Sequence, residues 1–118
     1  MKRNQVVCHL QNADQIALFK NQGITEVIVE SKEFSRLGEM SISDATQLAL
    51  KAKDSGLTPV LSWDLLVDDD QLKFCQKDFC AIPRGLFSAV RVQDIGVAFW
   101  LKKNFSQLSI DLICESMP

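Results

Sequence analysis

Five short runs rich in valine, isoleucine and leucine recur along the chain, and one helical pattern separates each from the next. This alternation is the strongest constraint on the fold. A strand followed by a helix of ordinary length and then another strand implies a right-handed βαβ unit, and a series of such units implies a parallel sheet. The strand-like runs are QVVCH (Gln5 to His9), TEVIVE (Thr25 to Glu30), PVLSWD (Pro59 to Asp64), AVRVQ (Ala89 to Gln93) and SIDLICE (Ser109 to Glu115). Pro59 falls on the first residue of its run, where a missing N–H is tolerated.

The intervening segments carry helix signals. Asn12 is placed to cap a first helix with Ala13, Ile16, Ala17 and Phe19 on one stripe and Gly23 at its end. Ser41 and Asp44 have capping-box spacing ahead of Ile42, Ala45, Leu48, Ala49 and Ala52, and Gly56 closes that helix. Asp68 to Asp70 favour a third start, followed by Leu72, Cys75 and Phe79. A fourth helix begins near Gly96 and shows Val97, Trp100, Leu101 and Phe105. The segment AIPRGLFS (residues 81–88) reads as a loop or a broken short helix, and SKEFSRLGEM (31–40) as a longer loop.

The expected fold is therefore α/β, a parallel (βα)4β unit in a single domain over residues 1–118. A doubly wound fold normally ends on a covering helix, and a complete (βα)8 barrel needs about 250 residues. The reading is half of a TIM-like barrel, with a five-stranded flavodoxin-like open sheet as the alternative. Edge strands present unpaired backbone groups, so a homo-oligomer or a complementary C-terminal half is the expected partner rather than a lone monomer.

Composition narrows the function classes. The net charge is −2, and the paired cations are Lys2-Arg3 and Lys102-Lys103. Nucleic-acid binders usually carry a basic patch, so no nucleic-acid partner is expected. No run approaches the roughly 18 apolar residues of a membrane span, so no membrane partner is expected either. The first residues lack the pattern of a signal peptide, and the cytoplasm is the default compartment. Cys8, Cys75, Cys80 and Cys114 form no C-x-x-C motif. They read as reduced, mostly buried small hydrophobes, with no metal spacing and no cofactor motif.

In parallel α/β folds, sites form at the carboxyl ends of the strands. Those ends hold Cys8 and His9, Glu30, Trp63 and Asp64, Gln93 and Asp94, and Cys114 and Glu115. The candidate catalytic residues are His9, Glu30, Asp64, Asp94 and Glu115; Arg36 and Trp63 are the candidates for ligand binding. Each has a plainer reading. His9, the single histidine, can be a hydrogen-bonded structural residue. Asp64 can cap the turn into the third helix, and Glu30 can be solvated. Asp94 can cap the fourth helix while Gly96 permits the tight turn. Arg36 can clamp an anion or pair with Glu33 or Glu39 at the surface. No Ser–His–Asp constellation and no Gly-rich phosphate loop is present.

Three stretches also carry a family likeness. AVRVQDIGVAFWLKKNFSQLSIDLICES (89–116) joins a strand ending in polar–Asp–hydrophobic–Gly to a helix and a further strand. ITEVIVESKEFSRLGEMSISD (24–44) contains a strand, a Phe-x-Arg loop and a helix start, and ALKAKDSGLTPVLSWDLLV (49–67) runs from a helix through glycine into a strand. Together they resemble the N-terminal half of the barrel domain in the collagenase-like peptidase family. The resemblance implies a TIM-like barrel and a family that includes collagenase-like proteases. It also implies relatives acting in hydroxylation of transfer RNA, ribosomal RNA or ubiquinone precursors, some with an iron–sulfur cluster held by cysteines of the second half. Phe34 stands where one branch has a cysteine, and Glu115-Ser116 stands where the family usually has Thr-Gln. Both departures point away from catalysis by this chain alone.

Overall fold

The computed structural model describes residues 7–113. Strands β1 (Val7–His9), β2 (Glu26–Val29), β3 (Thr58–Trp63), β4 (Ala89–Val92) and β5 (Ser109–Leu112) alternate with helices α1 (Asp14–Asn21), α2 (Ile42–Asp54), α3 (Asp69–Cys80) and α4 (Ile95–Asn104). All neighbouring strands pair in parallel, and their order across the sheet is β1-β2-β3-β4-β5. The α/β class and the parallel (βα)4β unit are thus present. Sequential order is the winding of a βα barrel; the flavodoxin-like arrangement shares the parallel sheet but places its first strand inside, as 2-1-3-4-5.

Sequential order combined with right-handed crossovers puts every helix on the same face of the sheet. The core reflects that. Val27, Val29, Leu61, Trp63, Val90 and Val92 form one cluster with Ile16, Ala45, Leu48, Ala49, Ala52, Cys75, Phe79, Val97 and Leu101 from the four helices. Each fully buried aliphatic or aromatic side chain contributes about 1.5–3 kcal/mol relative to exposure. Small residues on α2, three of them alanines, let that helix approach β2 and β3 closely.

The register fixes what lies on the other face. His9, Ile28, Val60, Ala89 and Ser109 form one row across all five strands. Two residues further on, Ser62, Arg91 and Asp111 form a second row. Ile28, Val60 and Ala89 are buried but stand outside the helix-side cluster. Side chains alternate along a strand, so these rows face away from the helices.

An aromatic cluster ties the layers together. The Trp63 ring lies 4.7 Å from Phe34 and 5.6 Å from Phe79, between centroids. Phe79 continues to Phe105 at 5.0 Å, and Phe105 to Trp100 at 5.6 Å. Tilted and edge-on packing at these distances is the favourable geometry for aromatic pairs.

Several local expectations are corrected. The regular ladders are shorter than the apolar runs: β2 stops at Val29 and β3 at Trp63, leaving Glu30 and Asp64 as the first loop residues. Asn12 does not cap α1. The N-cap is Ala13 without a side-chain bond, and the Gln15 amide oxygen instead accepts from the backbone N–H of Gln11, at 2.8 Å, and of Asn12. Helix α3 is better marked than its aspartates suggest. Asp68 and Gln71 form a complete reciprocal capping box, with Gln71 N–H donating to Asp68 at 2.8 Å. Residues 81–88 are loop.

The described cysteines, Cys8, Cys75 and Cys80, are free, but only Cys75 is buried; Cys80 is exposed. Its place on α3 turns it outward, whereas Cys75 shares the stripe with Phe79. Cys114, Glu115 and Ser116 lie outside the described residues, as do Gln5 and Val6 of the first apolar run. Among the described residues, no helix is long and apolar enough to cross a membrane.

Candidate functional site

Parallel pairing brings the carboxyl ends of all five strands to one rim. The loops that follow β2 and β3 build most of it. The β2–α2 loop folds back on itself: Lys32 N–H donates to the Met40 carbonyl at 2.9 Å, and Ser35 N–H to Ser31 at 2.8 Å. Gly38 makes this possible. A Cβ there would run into the Ser31 carbonyl group, an approach only glycine permits.

Two of the candidate carboxylates hold loops in place. Asp64 accepts the Arg36 backbone N–H at 2.9 Å, which pins the β2–α2 loop to the end of β3. Asp94 is the N-cap of α4. Its Oδ1 accepts from the N–H groups of Gly96, at 2.8 Å, and Val97, at 3.4 Å, while Oδ2 accepts the Val67 N–H at 3.2 Å. One carboxylate therefore closes a helix end and ties down the neighbouring loop. The anticipated capping role of Asp94 is present, and Asp64 serves a tie rather than the expected cap of α3, which Asp68 provides.

His9 and Glu30 come together. His9 Nδ1 lies 3.0 Å from Glu30 Oε1, and the Ser35 hydroxyl donates to Glu30 Oε2 at 2.9 Å. When the neutral ring donates its Nδ1–H to the Glu30 carboxylate, Nε2 is the nitrogen left with a lone pair. The His9 side chain is 52% exposed and that of Glu30 only 20%, so the pair has a covered end and an open end. A carboxylate that is itself held beside a half-exposed imidazole is a geometry able to orient a proton acceptor. The serine is on the wrong side for a nucleophile, since it bonds the carboxylate and not the imidazole.

Trp63 departs from its expected role. It is fully buried in the aromatic cluster and offers no surface to a ligand. Strand parity explains this: Trp63 shares the helix-facing side with Leu61, two residues back, and Asp64 is the residue that turns to the open face. Arg36 is exposed on the β2–α2 loop, where its backbone serves the Asp64 tie. Ser35 is the residue that sequence reasoning missed. Its only signal is its place in the Phe-x-Arg loop, five residues after Glu30.

No family model matches the chain, and no curated protein or solved structure matches it.

The buried thiol of Cys75 is not part of the rim. Burial, and secondarily the nearby Asp78 carboxylate, push its pKa above the ordinary value. The neutral thiol is thus the form that the fold favours. This contribution to stability is complete below the unfolded-state pKa, about 8.5, and is lost as pH rises through the folded-state value. Urea midpoints at pH 7 and pH 9.5 are expected to fall more steeply with pH for the wild-type chain than for Cys75→Ala. Equal slopes would mean that the thiol ionises alike in both states.

Proposed function

We propose that the chain supplies the acid–base edge of a βα-barrel peptide site of the collagenase-like peptidase type, with His9 as the base and Glu30 as its orienting carboxylate. The observation that carries this reading is the Ser35–Glu30–His9 chain of hydrogen bonds at the carboxyl end of β1 and β2. Sequential strand order, as in a barrel, and the likeness of residues 24–44, 49–67 and 89–116 to that family support it. In this reading a complementary half pairs with the edge strands and brings the groups that bind and polarise the scissile carbonyl. The chain alone then binds peptide and does not cleave it.

The proposal is tested by NMR titration of the chain with a Gly-Pro-rich, collagen-type peptide. The expected result is movement of the His9 ring signals and of the amides of residues 30–36, with affinity reduced about tenfold or more in His9→Ala. Cleavage of the peptide by the chain alone would overturn the need for a second half. Perturbations confined to other parts of the molecule, or none at millimolar peptide, would overturn the peptide site itself. Binding of small anions at the same rim without peptide binding would instead support a stand-alone anion-binding or scaffold module.

A further inference from the structure

At the end of the sheet opposite the rim, the loops entering β4 and β5 line a half-open cavity of about 460 Å³. That volume lies in the range of small-molecule sites. Phe79, Phe87 and Phe105 supply the aromatic part of its wall, with Ile82, Pro83 and Leu108 beside them. Phe79 and Phe87 are buried on all other sides, so the rings are held by the core rather than by the cavity. Its polar lining residues are Arg84, Ser88, Asn104, Ser106 and Gln107, and no carboxylate residue is among them.

Arg84 is the distinctive feature. Its guanidinium carbon stands 4.9 Å from the centre of the Phe105 ring, a cation–π placement that orders an otherwise exposed side chain. Among the described residues it has no ion-pair partner. Its fork of N–H donors, suited to a planar carboxylate, is thus set beside an aromatic ring and is paired with no carboxylate among the described residues. The loop that carries it is braced. Lys53 donates to the Gly85 carbonyl at 2.6 Å, and Gly85 adopts φ +81°, a left-handed conformation suited to glycine.

We propose that this cavity binds a small aromatic carboxylate, with its ring against Phe79 and Phe105 and its carboxylate on Arg84. The site is independent of the rim and of the peptide reading. Ring burial supplies the apolar contribution, and the charge-assisted fork supplies selectivity for the anion over a neutral analogue.

The test is an amide-detected NMR titration with benzoate and with benzamide, its neutral analogue. Benzoate is expected to move the amides of Arg84, Gly85, Ser106 and Gln107 at low millimolar concentration. Benzamide is expected to bind about tenfold more weakly, the scale of one charge-assisted contact. Arg84→Gln, at an exposed position, is expected to keep the wild-type melting temperature and to erase the preference for benzoate. No perturbation by 20 mM benzoate (a concentration of about that order suffices for weak carboxylate sites) would overturn the proposal. So would equal binding of the two compounds, or perturbation only at His9 and Glu30.

Discussion

Replacing Trp63 by alanine is expected to cost about 3–5 kcal/mol, the range for deleting a buried aromatic side chain. Domains of this size are stable by only about 5–15 kcal/mol, so the substitution removes a large part of the margin. The cause is specific. Trp63 is fully buried, touches Phe34, Phe79 and Trp100, and so joins β3 to the β2–α2 loop and to two helices. A cavity at that point loosens three layers at once. Trp63→Phe separates packing from polarity. The indole N–H is buried and has no hydrogen-bond partner among the described residues, and burying an unpaired donor costs about 1–3 kcal/mol. Phenylalanine loses part of the packing but also removes that donor, so its expected cost is about 1 kcal/mol or less. Urea denaturation of the two variants checks both values. A loss for Trp63→Phe close to that for Trp63→Ala would show that the N–H is satisfied in solution, by water or by a rearranged neighbour.

Asp94→Ala is expected to cost about 1.5–4 kcal/mol. Loss of an N-cap accounts for about 0.5–2 kcal/mol, and leaving the Val67 N–H without its acceptor adds about 1–3 kcal/mol if that group stays dry. Val67 is half-buried, which favours the lower part of the second range. Asparagine is the informative substitution because it caps helices as well as aspartate does. Its single carbonyl oxygen can serve Gly96 and Val97 or it can serve Val67, but not both. Asp94→Asn is therefore expected to keep α4 intact while the backbone amides around Leu66 and Val67 exchange faster with solvent. Unchanged exchange there, with unchanged stability, would mean that the tie between the two loops contributes nothing.

The alternation of strands and helices is legible because each element carries its own local period. Ile42, Ala45, Leu48, Ala49 and Ala52 mark α2 whatever surrounds them, and Ser41 accepts the Asp44 N–H as its type and spacing suggest. Strand ends are less legible. Glu30 and Asp64 follow valine and tryptophan directly, and only the hydrogen-bond ladder shows that they have left it. The helix start at Asp68 depends on Gln71, a residue whose capping role becomes visible only when it is read together with the residue three before it.

The site was legible as a set of positions and not as a set of relations. Listing strand ends finds His9, Glu30, Asp64 and Asp94, because parallel topology brings all strand ends to one rim. It does not show that His9 and Glu30 touch. That follows from register: His9 pairs with Ile28, so Glu30 lies two residues along on the same face. Nor does it show that Asp64 and Asp94 are occupied by backbone N–H groups of loops 28 and 27 residues away in sequence. The burial of Trp63 was within reach, since counting in twos from Val29 and Leu61 assigns it to the helix side.

The sequential strand order also bears on how the chain assembles. Every strand pairs with the strand that precedes or follows it, so no pairing waits for a distant part of the chain. Contacts of modest sequence separation are reached early in folding, because little loop entropy must be lost before they form. Structure can thus spread from β2 and β3 outward, one βα unit at a time, each new strand finding its template already in place. The same geometry makes the sheet extensible: a further βα unit beside β5, or beside β1, would leave the existing ladders undisturbed. Growth by unit rather than by rearrangement is what lets such a sheet curl toward closure.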